Sequence, residues 1–259
     1  MKLQIVPASR GIQWVKLGVQ TFFRQPLALS GLFFMVFAAL AAIRILPFIG
    51  VVLAPLLLPG AILGLMAATK EAHNGKFPLP AVLLCAFRAG RPQVRSMLVL
   101  GALYGLGMVA LLLTTILIDD GNLAAAALLG NTPSEEKMQE RPFQIATFVV
   151  SAFNFPWLLL FGHAAALVHW HGLPPVKSLF FSAATMVRNF GAYLIYGLVW
   201  IGVFEGFGII VQSLAALLGG TDGMPVAFVP LVLLLLASVF TSIYFTFLDS
   251  FAITPGADT

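Results

Sequence analysis

The sequence predicts an all-α membrane protein: six transmembrane helices with interfacial amphipathic helices, forming a single polytopic membrane domain over residues 1–259. Three observations carry this. Hydrophobic residues make up 60% of the 259 and charged residues only 9%, against roughly 25% charged in soluble domains. Six runs reach the length of about 20 apolar residues that a helix needs to cross a bilayer. The basic residues gather on one side of a six-span arrangement. The mean hydropathy is +0.99, so lipid must be the main solvent of this chain.

The first 25 residues spread Lys2, Arg10, Lys16 and Arg24 among Trp14, Phe22 and Phe23. No small-residue cleavage site follows a short apolar core, so a signal peptide is not expected. Ile12, Val15, Val19 and Phe22 recur at helical spacing and predict an amphipathic helix lying in the membrane surface. The spans follow at roughly 26–46, 48–68, 96–118, 143–168, 189–218 and 225–250, with ends uncertain by about 2–4 residues. Leu46-Pro47-Phe48 is a tight hairpin corner, and Gly219-Gly220-Thr221-Asp222-Gly223 is a turn. Pro59, Pro156 and Pro230 fall inside spans, where proline kinks a helix and its neighbours re-satisfy the freed carbonyl. Asn154 is a candidate for that task beside Pro156. Between the third and fourth spans lies an acidic loop, 119–142. There Thr132-Pro133-Ser134-Glu135 predicts a short helix capped by Thr132, with Pro133 at its first position and Glu135 closing a capping box.

Lys2, Arg10, Lys16 and Arg24 precede the first span, Lys70 to Arg95 separate the second and third, and Lys177 and Arg188 separate the fourth and fifth. Cytoplasmic loops are enriched in such residues, which places both termini in the cytoplasm. The net charge of +4 is thus topological, and no nucleic-acid partner is implied. One cysteine, Cys85, leaves no intramolecular disulfide and no Cys-rich metal site.

Residues 78–91 align without a gap with residues 175–188, and residues 11–24 give a third copy. Each ends on an arginine just before a span: Arg24, Arg91 or Arg188. Gly18, Cys85 and Ser182 line up, and Thr21-Phe-Phe-Arg-Gln matches Thr185-Met-Val-Arg-Asn. The chain is therefore expected to hold three repeat units, 11–68, 78–168 and 175–250, each an interfacial helix and a hairpin of spans. Trp14, Arg24, Arg91, Trp170 and Arg188 are the expected anchors at the headgroups.

Two constellations could carry chemistry. His163, His169 and His171 surround Trp170 in a stretch that turns at Gly172. Their spacings of six and two do not place ligands on one helix face. Helix-end or headgroup histidines are the first reading, with proton handling or a metal as alternatives. Asp249, ending the sixth span, is expected to be solvated or to pair with Arg24, Arg91 or Arg188; together with the histidines it would make a polar site. Arg44 and Glu205 lie inside apolar sequence, about 27 and 24 Å along their spans at 1.5 Å per residue. Matched depth makes an intramembrane ion pair plausible, or a proton or ion path. No phosphate-binding loop, nucleophile elbow or HExxH motif is present, so no catalytic residue, cofactor or metal site is assigned. Gly60 with Gly64 and Gly101 with Gly105 have the spacing of close helix packing.

Taken together, Arg24-Gln-Pro26, Pro47-Phe-Ile-Gly50, Gly64-Leu-Met-Ala-Ala68, Ala86-Phe-Arg-Ala-Gly-Arg91 and His169-Trp-His-Gly-Leu-Pro-Pro-Val-Lys-Ser-Leu-Phe-Phe181 resemble an uncharacterised family of proteobacterial inner-membrane proteins over nearly the whole chain. More loosely, the units are similar to the membrane domains attached to some glycerophosphodiester phosphodiesterases. The resemblance implies a bacterial inner-membrane location and no activity. The expected role is non-enzymatic: binding membrane lipids or serving a membrane protein complex as an accessory. A small transporter or channel using Glu205 is the alternative, and a lipid-modifying enzyme the third.

Overall fold

A computed structural model describes residues 2–46, 49–217 and 224–252. In chain order these form β1 (Lys2–Leu3), α1 (Arg10–Arg24), α2 (Pro26–Arg44), α3 (Ile49–His73), a 3-10 turn (Pro80–Leu84), α4 (Cys85–Arg88), α5 (Arg91–Thr114), α6 (Ile116–Asp119) and α7 (Asn122–Leu129). They continue with α8 (Glu135–Gln139), α9 (Arg141–His171), α10 (Pro175–Arg188), α11 (Phe190–Leu217), α12 (Met224–Ser250) and β2 (Phe251–Ala252). Six helices are long and apolar enough to span a bilayer: α2, α3, α5 with α6, α9, α11 and α12. The protein is an all-α membrane protein, and the six expected runs are these six helices. The corner at Pro47-Phe48 and the turn at Gly219–Gly223 lie outside the described residues.

The chain divides into two compact units. One comprises Met1–Phe37, Ile62–Cys85 and Phe180–Thr259, the other Ala38–Ala61 and Ala86–Leu179. These boundaries differ from those of the three expected repeat units. In the first unit α1 packs on α11 and α12. Its buried face is Gly11, Trp14, Val15, Gly18, Thr21 and Phe22, while Ile12 is exposed. The helix is amphipathic as expected, but its apolar side meets protein, not the membrane surface. Gly18 explains why. A Cβ there would stand 2.3 Å from that of Ser242, so only glycine lets α1 approach α12 this closely. Phe22, Leu29, Leu32, Phe33, Leu65, Ala68, Ala72 and Ala237 form one core cluster beside it.

In the second unit α5 packs on α9, and Gly101 of α5 lies against the backbone of Leu56 in α3. The acidic loop holds a helix that the sequence did not announce, the apolar α7. Asp119 starts it: its buried carboxylate accepts from the backbone N–H of Gly121 (3.1 Å) and of Leu123 (2.7 Å). Arg44 finishes it by donating to the carbonyl of Ala127, a cation near a helix C-terminus, where the dipole favours one. The expected short helix is α8, but its cap is Ser134, whose hydroxyl accepts from the N–H of Lys137 at 3.3 Å, and not Thr132. Asn154 is exposed and forms no hydrogen bond among the described residues, so the task assigned to it beside Pro156 is not performed.

All three aligned stretches are helical, although the middle one is only a 3-10 turn followed by the single turn of α4. Between α9 and α10 the corner forms as expected. Gly172 ends α9 in the left-handed region (φ +64°), and Pro175 opens α10, where its missing N–H costs nothing.

The close crossing of α5 over α3 gives a direct test. A Cβ on Gly101 would stand 1.9 Å from the carbonyl oxygen of Leu56, whereas at Gly197 nothing lies within 4 Å. Gly101→Val is expected to lose about 1–3 kcal/mol or more through overpacking, and Gly197→Ala to leave the melting temperature in detergent nearly unchanged. Thermal unfolding of the two variants side by side measures the difference.

Candidate functional site

The most elaborate polar arrangement among the described residues surrounds Asp249 near the end of α12. Its carboxylate accepts from Arg10 through Nε (2.9 Å) and Nη2 (3.2 Å) and from the indole Nε1 of Trp14 (2.8 Å). A forked guanidinium–carboxylate pair fixes geometry as well as charge. Arg10 and Trp14 are four apart on α1 and so present both donors on one face. Trp14 is fully buried, its ring 5.1 Å from that of Tyr193 and 6.0 Å from that of Tyr196. Along the same helices, Tyr196 and Ser242 share a hydrogen bond of 2.6 Å, the Trp200 indole donates to Ser242 (3.2 Å), and Tyr193 meets Ser250 (3.0 Å). Tyrosine and tryptophan supply apolar bulk with one polar atom, and here each polar atom reaches a partner.

This corrects two expectations. Asp249 pairs with Arg10, not with Arg24, Arg91 or Arg188, because α1 lies against α12. Trp14 is not a headgroup anchor, because its indole is inside the protein and bonded to a carboxylate. The arrangement holds helices together and leaves Asp249 with three donors already in place.

Asn189 extends the lock. Its side chain donates to the carbonyl of Gln4 (2.9 Å) and accepts from the N–H of Val6 (2.9 Å), pinning the extended segment before α1. That segment also pairs antiparallel with β2, just past α12, Lys2 with Ala252 and Leu3 with Phe251. Two other amides make bonds of the same kind. Gln25 donates to the carbonyl of Lys76 (3.2 Å), and Gln93 donates to the carbonyls of Val168 (3.3 Å) and His169 (3.1 Å). Each amide sits one or two residues past Arg24, Arg91 or Arg188, and each binds backbone shortly before another of the aligned stretches. The three amides thus hold matching places after the three aligned stretches.

The remaining candidates are dispersed. His163 is completely buried in α9, and His169, Trp170 and His171 are half-buried at its end. They belong to the second unit, whereas Asp249 belongs to the first. Among the described residues no group of three His, Cys, Asp or Glu side chains is placed to hold a metal. Arg24, Arg91 and Arg188 are exposed at helix ends. Glu205 is exposed midway along α11. Arg10 pairs with Asp249 and Lys137 with Glu140; the guanidinium of Arg44, expected to meet Glu205, is committed to the carbonyl of Ala127. Sequence reasoning missed Asn189, Gln93, Tyr196 and Ser242. The match of Gln25 with Asn189 was the one available signal.

The chain is 34% identical over 261 aligned residues to a probable inner membrane protein of Burkholderia thailandensis; the alignment covers 99% of this chain and 97% of that protein. No family model and no solved structure matches it.

Replacing Asp249 with alanine strands the buried Trp14 N–H and one charge of Arg10. Losing the partner of a buried donor costs about 1–3 kcal/mol, so Asp249→Ala should lower stability by that order. Asp249→Ala and Arg10→Ala together should cost less than the sum of the single changes. Thermal unfolding of the four proteins in the cycle reads this directly, and additive losses would mean that the pair contributes no coupling.

Proposed function

The chain belongs to the family of that Burkholderia inner-membrane protein, and on that premise we propose that it is a non-enzymatic protein of the bacterial inner membrane, with both termini cytoplasmic, that binds phospholipid at the cytoplasmic leaflet. The orientation rests on the lysine and arginine asymmetry. One observation carries the lipid reading. In α10 the usual order of faces is reversed. Ser178, Ser182 and Thr185, and Asn189 directly after the helix, at spacings of four, three and four, are buried, whereas Val176, Phe180 and Val187 are 71%, 68% and 75% exposed. A helix in water buries its apolar stripe. One that turns its polar stripe to protein and its apolar stripe outward is suited to hydrocarbon. Sinking each of those side chains out of water is worth about 1.5–3 kcal/mol. Lys177 and Arg188, exposed at the two ends of the helix, suit anionic headgroups.

Two measurements test this reading. In a Cys85→Ser background, an environment-sensitive label on a cysteine at position 180 should be quenched by lipids brominated in their upper acyl chains and shielded from aqueous iodide. Iodide quenching without lipid quenching would refute insertion. Labelling of a cysteine at Ser134 should occur from the periplasm and of one at Ile5 only from the cytoplasm; labelling of both from one side would refute the orientation.

A further inference from the structure

The elbow between α1 and α2 gathers cations and no anion. Arg24 ends α1 and Pro26 opens α2, and Lys76 lies just past α3. Gln25 ties these segments together, for its amide donates to the carbonyl of Lys76 (3.2 Å). One turn back along α1, the buried Thr21 holds its hydroxyl 3.5 Å from Nδ1 of His73, the last residue of α3. Arg24 lies close enough for its charge to act on that imidazole. All these residues belong to the first unit. Arg24 and Lys76 are exposed, and no carboxylate among the described residues, Glu71 of α3 included, pairs with either. Like charges brought together repel. The positive-inside bias accounts for cations on this side of the chain, but not for two of them held at one elbow by a side-chain bond. Phe23 and Leu27 flank Arg24, Phe77 follows Lys76, and all three are strongly exposed.

We infer that this elbow is a headgroup site, in which the phosphate of one anionic phospholipid is held by Arg24 and Lys76 while its acyl chains lie against Phe23, Leu27 and Phe77. Charge complementarity selects the phosphate. A guanidinium offers a planar fork that matches phosphate oxygens, and a lysine adds a point charge. The N-terminus of α2 opens at the same elbow, where the helix dipole favours an anion. The apolar side chains select lipid over a free phosphate. A soluble anion would use the two cations and leave Phe23, Leu27 and Phe77 in water, whereas a phospholipid covers both kinds of group at once. The depth agrees, since α2 is a spanning helix that begins at Pro26, so Arg24 stands where a span meets the headgroups. The site is separate from α10 and stands whether or not that helix lies in hydrocarbon.

Titration of the purified full chain in detergent with short-chain phosphatidylglycerol tests it. In the Cys85→Ser background, an environment-sensitive label on Asn74→Cys, exposed between His73 and Lys76, reports on the elbow itself and not on α10. The signal should saturate with lipid. Arg24→Gln with Lys76→Gln should raise the lipid needed for half the change roughly 10- to 30-fold, as the loss of two surface cations predicts. Lys16→Gln removes another exposed cation of α1, away from the elbow, and should leave it within about twofold. If the double variant does not fold, Lys76→Gln alone gives the same reading, with a rise of about fivefold. Inorganic phosphate at the same concentrations should give no change. An equal loss in Lys16→Gln, an unchanged titration in the elbow variants, no saturable signal, or an equal response to inorganic phosphate overturns the inference.

Discussion

The carboxylate of Asp249 fixes where the first helix lies, and much of the first unit follows from that. Water is not available inside a bilayer to satisfy a stray donor, so once Trp14 is turned inward its indole N–H must find an acceptor within the protein. Asp249 provides it and is itself balanced by Arg10. With α1 held against α11 and α12, the strand before it reaches the end of α12, Asn189 closes over that strand, and the aromatic rings of Trp14, Tyr193 and Tyr196 meet. Gly18 makes the approach sterically possible and Asp249 makes it electrically possible. Neither suffices alone.

Much of this was legible in the sequence, for a physical reason. A span is announced by about 20 apolar residues whatever it packs against, so all six were readable, as were the corner at Gly172 and the start of α10 at Pro175. The fate of α1 was not. Its apolar stripe is equally compatible with a headgroup layer and with a groove between two helices, because periodicity describes one surface and not what covers it. The partner of Asp249 is invisible for the same reason: it lies 239 residues away, and nothing local distinguishes Arg10 from Arg24, Arg91 or Arg188. In the acidic loop the error was one of competition between two hydroxyls. Thr132 and Ser134 are both good caps, and the choice fell to the one followed directly by two acidic residues in the first turn of α8, where the helix dipole favours negative charge.

The two surface helices α1 and α10 show that amphipathicity has no fixed sense in this solvent. One turns its apolar stripe to protein and the other turns its polar stripe there. In α10 the buried hydroxyls are small, Ser178, Ser182 and Thr185, and the hydroxyl of Ser178 is bonded back to the carbonyl of Pro174 at 3.0 Å. That bond offsets the cost of burying the Ser178 hydroxyl. Polar character therefore marks the interior of α10 and apolar character its outside, as expected for a protein whose surroundings are less polar than parts of its own core.

The distance in sequence between α1 and its partners also sets an order of events during synthesis. Trp14 and Asp249 are 235 residues apart, and at ribosomal rates of about 5–20 residues per second α1 emerges roughly 10 to 50 s before the carboxylate that will hold it. For most of that interval its apolar stripe has neither α11 nor α12 to cover it. The docking of α1 is therefore a late event in the making of the molecule, timed by the 235 residues between Trp14 and Asp249.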